Sequence, residues 1–282
     1  MGIITGATIH INYRTFGYKA VAHILINVNS QKADRLTEFL KEIPEIYAVY
    51  SRGVKGKIDV VAILKTLKQL DEINDKIKRK FTILEIKTAI WTDVKEMNDN
   101  LALIPENRKK SRDAIDLDLD LKEKRGSQHL TIDEIDQKIV DKLSENVWIS
   151  IEDLSVEIGV SVYSIKRRYE KLKKNGALKV TVQINPEKLG YRALCIFFTV
   201  TSNEKSLTII EKISKIPDII SIMKTTGDYD LQIWAMVQDI DELLSIQNEI
   251  GKVPGISRVD IEILDLGDNE SWPSPCQYIS TF

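Results

Sequence analysis

An internal repeat limits how this chain can fold more than any other feature. Ala7–Val28 (ATIHINYRTFGYKAVAHILINV) and Val180–Val200 (VTVQINPEKLGYRALCIFFTV) align at a constant offset of 173 residues. Ile9 then matches Val182, Ile11 matches Ile184, Asn12 matches Asn185, and Gly17-Tyr18 matches Gly190-Tyr191. Glu42–Ile46 (EIPEI) and Lys215–Ile219 (KIPDI) keep that register. Beyond them, about two extra residues in the first copy would set Gly56–Asp59 (GKID) against Gly227–Asp230 (GDYD), with Leu70–Asp75 against Ile240–Ser245. A duplication of this length demands two copies of one fold.

Each copy reads β-α-β-β-α-β. In the second, Arg192–Val200 is an apolar run of strand formers, and Ser206–Ile216 has helical spacing ended by Pro217. Ile219–Thr225 and Leu231–Val237 flank the Thr226–Asp230 turn as a hairpin, Ile240–Glu249 is a second helix, and Ile256–Leu264 closes the sheet. The first copy offers Val21–Val28, Ala33–Ile43, Ile46–Arg52, Ile58–Leu64, Leu67–Lys78 and Ile83–Ile90. This is the ferredoxin-like split βαβ order. Helices on one side leave the other face of each sheet open to a partner. The free face of the second copy is the more apolar, with Leu194, Ile196, Phe198 and Val200 on one side and Cys195, Phe197 and Thr199 on the other. Two pairings are open, copy one on copy two within or between chains, or like on like across a two-fold axis; the more apolar second face favours the like-on-like contact, in a homodimer or higher oligomer.

Between the copies, Leu130–Ile184 carries a different pattern. Ile135, Ile139, Val140 and Leu143 make Asp133–Ser144 an amphipathic helix. Ser150 offers an N-cap to a helix burying Ile151, Leu154 and Ile158, and Gly159 supplies the tight turn. Ser161 caps a third helix that buries Val162, Ile165, Tyr169 and Leu172 and stops at Asn175-Gly176. Helices joined by a short Gly-bearing turn form a helix-turn-helix. Between Ser161 and Thr181, seven cations (Lys166, Arg167, Arg168, Lys171, Lys173, Lys174, Lys179) face the single acid Glu170, a local balance of +6 in a chain of net charge −2. Tyr163, Ser164, Arg167 and Lys171 fall opposite the buried stripe, with Lys166 to one side. Cations suit phosphates, and short polar or planar groups suit base edges. The bland alternative is a solvated Lys/Arg face. We take Ser161, Tyr163, Ser164, Lys166, Arg167, Arg168, Lys171, Lys173, Lys174 and Lys179 as candidate contacts to double-stranded DNA, with Arg168 close enough to the buried edge to serve an internal ion pair.

The rest of the chain narrows the function class. No apolar run approaches the roughly 18 residues of a membrane span, and no segment resembles a signal peptide, so a cytoplasmic protein without membrane contact is expected. Cys195 and Cys276 fit neither a disulfide framework nor a CxxC site, and the spacing of His10, His23 and His129 suits no metal, so no cofactor is expected. Gly53–Lys57 is too short for a P-loop. The reading is therefore an α+β chain: a winged-helix-like helix-turn-helix domain flanked by two ferredoxin-like domains. Residues 1–97 form the first, 98–129 a charged linker, 130–184 the helix-turn-helix, 185–266 the second ferredoxin-like domain and 267–282 a tail. The linker contains Arg108–Arg112 and the alternating Asp116–Arg125 run, read mainly as a solvated tether.

The helix-turn-helix with Lys166-Arg167-Arg168, the NPEKLGY segment (Asn185–Tyr191) and the TGDYD turn (Thr226–Asp230) together resemble the Lrp/AsnC (feast/famine) transcription regulators. The resemblance covers about Leu130–Leu264 in full, with Ala7–Ile90 as an extra copy of the ligand-sensing domain ahead of its usual place. It implies an oligomeric DNA-binding regulator, often of amino-acid response, with the effector held between paired sensing domains near the hairpin turn. Carried over, that points to Thr226, Gly227, Asp228 and Asp230 as effector-proximal; the plain alternative is a hairpin turn shaped by Gly and Asp. Siroheme decarboxylases resemble the same architecture, but no histidine lies in the second copy for acid–base work. A protein-interaction adaptor is the remaining alternative.

Overall fold

The computed structural model describes residues 2–51, 54–96, 130–202 and 206–266. The linker and tail named above lie outside these residues. The chain divides into two units, one of residues 2–17 with 130–189 and the other of residues 18–96 with 190–266.

The smaller unit holds strand β1 (Ile4–Ile11), helices α3 (Glu134–Glu145), α4 (Ile151–Ile158) and α5 (Val162–Lys174), and strand β6 (Leu178–Ile184). Ile139, Val140, Leu143, Leu154, Ile165 and Leu172 are buried and form its core. Val162, expected in that core, is 41% exposed, because it opens α5 one turn before the helix packs. β1, counted within the N-terminal domain on sequence, pairs antiparallel with β6. Thr8 lies opposite Thr181, its own repeat mate 173 residues on, so a local two-fold axis runs through this ribbon. Its ends are closed by another mated pair: Asn12 N–H donates to the Ala177 carbonyl and Asn185 N–H to the Ile3 carbonyl.

The larger unit contains both remaining βαββαβ copies. The first runs β2 (Ala20–Val28), α1 (Ala33–Lys41), β3 (Ile46–Ser51), β4 (Lys57–Leu64), α2 (Lys68–Lys80) and β5 (Ile83–Glu96). The second runs β7 (Ala193–Thr201), α6 (Ser206–Ile213), β8 (Ile219–Thr226), β9 (Leu231–Val237), α7 (Ile240–Gly251) and β10 (Ile256–Asp265). Strand pairing keeps the offset of 173 throughout. Ala20 opposes Leu64 where Ala193 opposes Val237, and Ser51 opposes Ile58 where Lys224 opposes Leu231. The helices obey it too, with Ile73 and Ile77 buried where Ile246 and Ile250 are buried. The expected two-residue insertion is therefore absent. Lys57 occupies the place of Asp230, and Gly56 that of Tyr229.

The two copies form one sheet, in the order β10-β7-β9-β8-β5-β2-β4-β3, sealed where β5 pairs antiparallel with β8. The sheet rolls so that the open face of each copy covers the other. From the first copy, Val21, His23, Asp59, Val61 and Trp91 are buried there; from the second, Leu194, Ile196, Phe198, Gln232 and Trp234. The like-on-like contact between chains expected from the apolar second face is thus replaced by contact between unlike copies of one chain. At the centre is a small polar cluster. Trp91 Nε1 donates to Gln232 Oε1 at 3.0 Å, which fixes that atom as the oxygen. His23 Nδ1, also 3.0 Å from Gln232 Oε1, must then donate. His23 Nε2 lies 3.5 Å from Asp59 Oδ2, and the His23 ring stacks on Phe198. Asp59 and Gln232 occupy the same repeat position, so the cluster is built on the local two-fold axis.

The ribbon carries a pH-linked group. His10, 1% exposed and opposite Lys179, has its pKa lowered to about 4, chiefly by burial and then by the Lys179 charge. The unfolded chain takes up this proton near pH 6.5, so the contribution is complete above 6.5 and is lost as pH falls from there toward 4. Urea titrations should show the parent losing about 2–3 kcal/mol more than His10→Gln between pH 7 and 4.5. Parallel pH profiles for the two proteins would remove this assignment.

Candidate nucleic-acid interface and sensing turn

Local hydrogen bonds set each helix of the smaller unit. The Asp133 carboxylate accepts from the Ile135 and Asp136 N–H groups at 2.9 and 3.0 Å, and Asp136 accepts in return from the Asp133 N–H, closing a capping box before α3. Ser150 Oγ accepts from the Asp153 N–H at the start of α4, which ends at Gly159 with φ 79°. Ser161 Oγ accepts from the Ser164 N–H and starts α5, so Ser161 has a structural duty whatever else it contacts.

The exposed face of α5 carries Tyr163 (77% exposed), Lys166, Arg167, Lys173 and Lys174. Lys173 lies over the Tyr169 ring and 3.8 Å from Glu170. Lys171 Nζ donates to the Thr131 carbonyl at 3.3 Å. Lys166, Arg167 and Lys174 are exposed and enter no ion pair among the described residues. Lys179 stands on β6, away from the helix but exposed. Arg168 differs from all of them. Its Nη1 sits 2.7 Å from both Asp133 Oδ2 and Asp136 Oδ1, with Asp136 1% exposed. The hydrogen bond that Arg168 donates to Asp136, then the one it donates to Asp133, raises the Arg168 pKa further. The Asp136 N–H and the Arg168 guanidinium hold the Asp133 carboxyl below its ordinary range. Arg168 therefore fixes α5 on the cap of α3, the internal ion pair that its place at the buried edge allows.

The turn between β8 and β9 separates into two parts. Thr226, Gly227 and Asp228 are exposed together. Gly227 has φ 124°, and a Cβ there would come 3.3 Å from the Thr88 carbonyl on β5 of the first copy. The backbone angle requires glycine, and that approach leaves little room for a side chain. Asp230 points away from this group: its Oδ2 accepts from the Thr201 N–H at 2.7 Å and from Thr201 Oγ1 at 3.0 Å. Its expected role beside an effector is thus taken up by anchoring the hairpin.

Sequence reasoning missed the neighbours of this turn. Tyr229 donates its hydroxyl to Asp260 Oδ2 at 2.7 Å, and Arg258 lies over the Tyr229 ring with its Nε 3.2 Å from Asp260 Oδ2. Burial, then Asp260, raises the Tyr229 pKa. These form an aromatic–cation–anion cluster beside an exposed acid, Asp228. At the equivalent positions the first copy has Gly56, Glu85 and Lys87, with Lys57 for Asp230, so the charges are reversed and the aromatic is missing. A Cβ at Gly56 would sit 2.5 Å from the Val28 carbonyl, which excludes any side chain there. The sequence already sets Lys57 against Asp228 and so favours the second copy for an ammonium-bearing ligand; the ladder register extends that reversal to Glu85 and Lys87.

Among the described residues no His/Cys/Asp/Glu group could hold a metal ion, and no helix is long and apolar enough to cross a membrane. Cys195 is buried, and burial lifts its thiol to about 12, an inert core position.

Residues 132–173 match the AsnC-type helix-turn-helix domain, and residues 194–264 match the Lrp/AsnC ligand binding domain. The HTH-type transcriptional regulator FL11 of Pyrococcus horikoshii is 31% identical over 126 residues, spanning 44% of this chain and 83% of its own length. The HTH-type transcriptional regulator LrpA of the same organism is 28% identical over 130 residues, spanning 45% of this chain and 92% of its own. The crystal structure of the siroheme decarboxylase NirDL superposes over 100% of this chain and 80% of its own, with TM-score 0.61 and 13% identity. At that identity the likeness is one of fold.

Arg167 and Arg168 make a paired test. Arg167→Ala should weaken a specific site by about 1–3 kcal/mol and relax base preference without changing stability. Arg168→Ala leaves Asp136 buried without its cation and should cost about 3 kcal/mol of stability in a urea titration. The assignment fails if the two substitutions give the same profile in fluorescence-anisotropy titrations and urea melts.

Proposed function

The chain belongs to the Lrp/AsnC family of DNA-binding transcription regulators, and we propose that it reads the major groove through the outer face of α5 and answers to one amino-acid-like effector at the second copy's turn. The observation that carries the DNA part is a helix fixed on its inner side by the Arg168 bracket while Tyr163, Lys166, Arg167 and Lys174 stand uncommitted on its outer side. Phosphates set the register of such a helix, and Tyr163, Ser164 and Arg167 are placed to meet base edges. Lys173 and Lys179 add backbone attraction.

The effector reading rests on the Asp228, Tyr229, Arg258 and Asp260 cluster. An amino acid carries an ammonium and a carboxylate a few ångströms apart, and this cluster offers both complements beside an aromatic ring. The charge reversal at Gly56, Glu85 and Lys87 leaves the first copy without that set, so one site per chain follows. Each chain brings one recognition helix, and two-fold DNA readers present two. A homodimer or higher oligomer is therefore the working form, assembled by surfaces other than the sheet faces, which are already buried within the chain. The tetrapyrrole-decarboxylase alternative has fold likeness alone behind it, whereas the relatives matched in sequence are named transcriptional regulators.

Calorimetry with the twenty amino acids tests the effector. At least one should bind the parent with a stoichiometry of one per chain, and Asp228→Ala and Arg258→Gln should each weaken it about tenfold or more, the loss of one charge-assisted hydrogen bond. Two sites per chain, or no heat with any amino acid, would contradict it.

A further inference from the structure

Because the repeat offset is constant, each copy serves as a control for the other: whatever the fold itself requires should be present in both. One surface feature fails that comparison by a wide margin. The C-terminal end of α2 carries Lys76 and, in its last turn, Lys78, Arg79 and Lys80, all exposed. The equivalent turn of α7 and the residues after it carry Glu249, Gly251, Lys252 and Val253. Four positive charges thus stand where the second copy has none net.

Ordinary structural duties do not account for the four. A helix C-terminus favours a cation, but α7 ends stably with Lys252 alone. Arg79 lies 3.7 Å from Asp75 in an exposed pair, worth little. Lys80 covers the Phe39 ring at 4.1 Å. Lys76 and Lys78 enter no ion pair among the described residues. The groove beside this turn, about 580 Å³, is open and lined by Lys78, Arg79 and Lys80, with the one acid Glu85 on the start of β5. Its mouth is too exposed to enclose a small anion, and its cations follow one helix turn, which suits an extended polyanion.

We propose that the basic end of α2 is a second, sequence-independent contact to the DNA backbone, outside the site read by α5. This rests on the DNA-binding reading above, since duplex DNA is the polyanion to which the chain is already committed. A tethered second contact raises avidity without adding any base readout. Each phosphate neutralised releases counterions and steepens the salt dependence of binding by about 0.9 in the log–log slope. The first copy, lacking the sensing cluster, would then contribute grip on DNA instead of effector recognition.

The experiment uses the full chain and two duplexes. One is limited to the recognition site; the other carries the same site extended by roughly 30 base pairs, about three helical turns, on each side. The triple variant Lys78→Gln/Arg79→Gln/Lys80→Gln should match the parent on the short duplex. On the long one its salt slope should fall by about 2–3 and its affinity at ~0.15 M salt by about tenfold or more. If it matches the parent on both, the patch serves another acidic partner or none, and the proposal is overturned. Equal loss on both duplexes would overturn it as well, because the patch would then belong to the primary site. Arg167→Ala run alongside separates the two claims: it should weaken both duplexes, and if it weakens neither, the recognition-helix reading fails independently of the α2 result.

Discussion

The fold depends on the mutual burial of two open sheet faces. A ferredoxin-like sheet with both helices on one side leaves its other face uncovered, and here those faces carry Phe198, Trp234, Trp91 and Ile196, too apolar to stand in water. Burying one such side chain contributes about 1.5–3 kcal/mol, so covering both faces outweighs every exposed ion pair in the molecule. Duplication within one chain supplies the cover at high effective concentration, and the β5–β8 ladder fixes the register. The His23, Asp59, Trp91 and Gln232 cluster adds direction to that contact, since sliding the sheets by one residue would leave its buried donors without acceptors.

This arrangement shapes the rest of the chain. β1, left over from the first copy, completes a ribbon with β6, and Thr8 meets Thr181 across the same kind of two-fold relation that joins the sheets. The consequence is an asymmetric chain: two βαββαβ copies and a single helix-turn-helix among the described residues. The two copies have also diverged in chemistry. The second carries the Asp228, Tyr229, Arg258 and Asp260 set, while the first has reversed charges there and a run of cations at the end of α2.

Much of this was legible in the sequence because it is local. The helices of the smaller unit begin at Ser150 and Ser161 and turn at Gly159, as the capping and glycine signals indicate. The βαββαβ order follows from alternating apolar runs. What could not be read is tertiary. The pairing of β1 with β6 joins residues about 170 apart with nothing local to announce it. Arg168 looks like its neighbours Lys166 and Arg167 until α3 places Asp133 and Asp136 against it. Gly56 matches Gly227 in identity, though the ladder puts Tyr229 at its place. His23, Asp59 and Gln232 read as polar interruptions of strands, and only the folded sheet makes them one cluster. The apolar second face correctly demanded a partner, but sequence alone does not distinguish a partner in another chain from one in the same chain.

Whether the two open faces meet within one chain can be measured directly. Ile90 and Thr226 oppose each other across the β5–β8 ladder. Opposed residues of an antiparallel pair lie ~4.5–5.5 Å apart at Cα, within disulfide range. In a background of Cys195→Ala and Cys276→Ser, Ile90→Cys with Thr226→Cys should oxidise within one chain. It should then give a monomer-mass band that migrates faster on a non-reducing denaturing gel and shifts back with reductant. A disulfide-linked dimer would place the contact between chains, and failure to cross-link would show that the two copies do not share a sheet; either result contradicts the structure described.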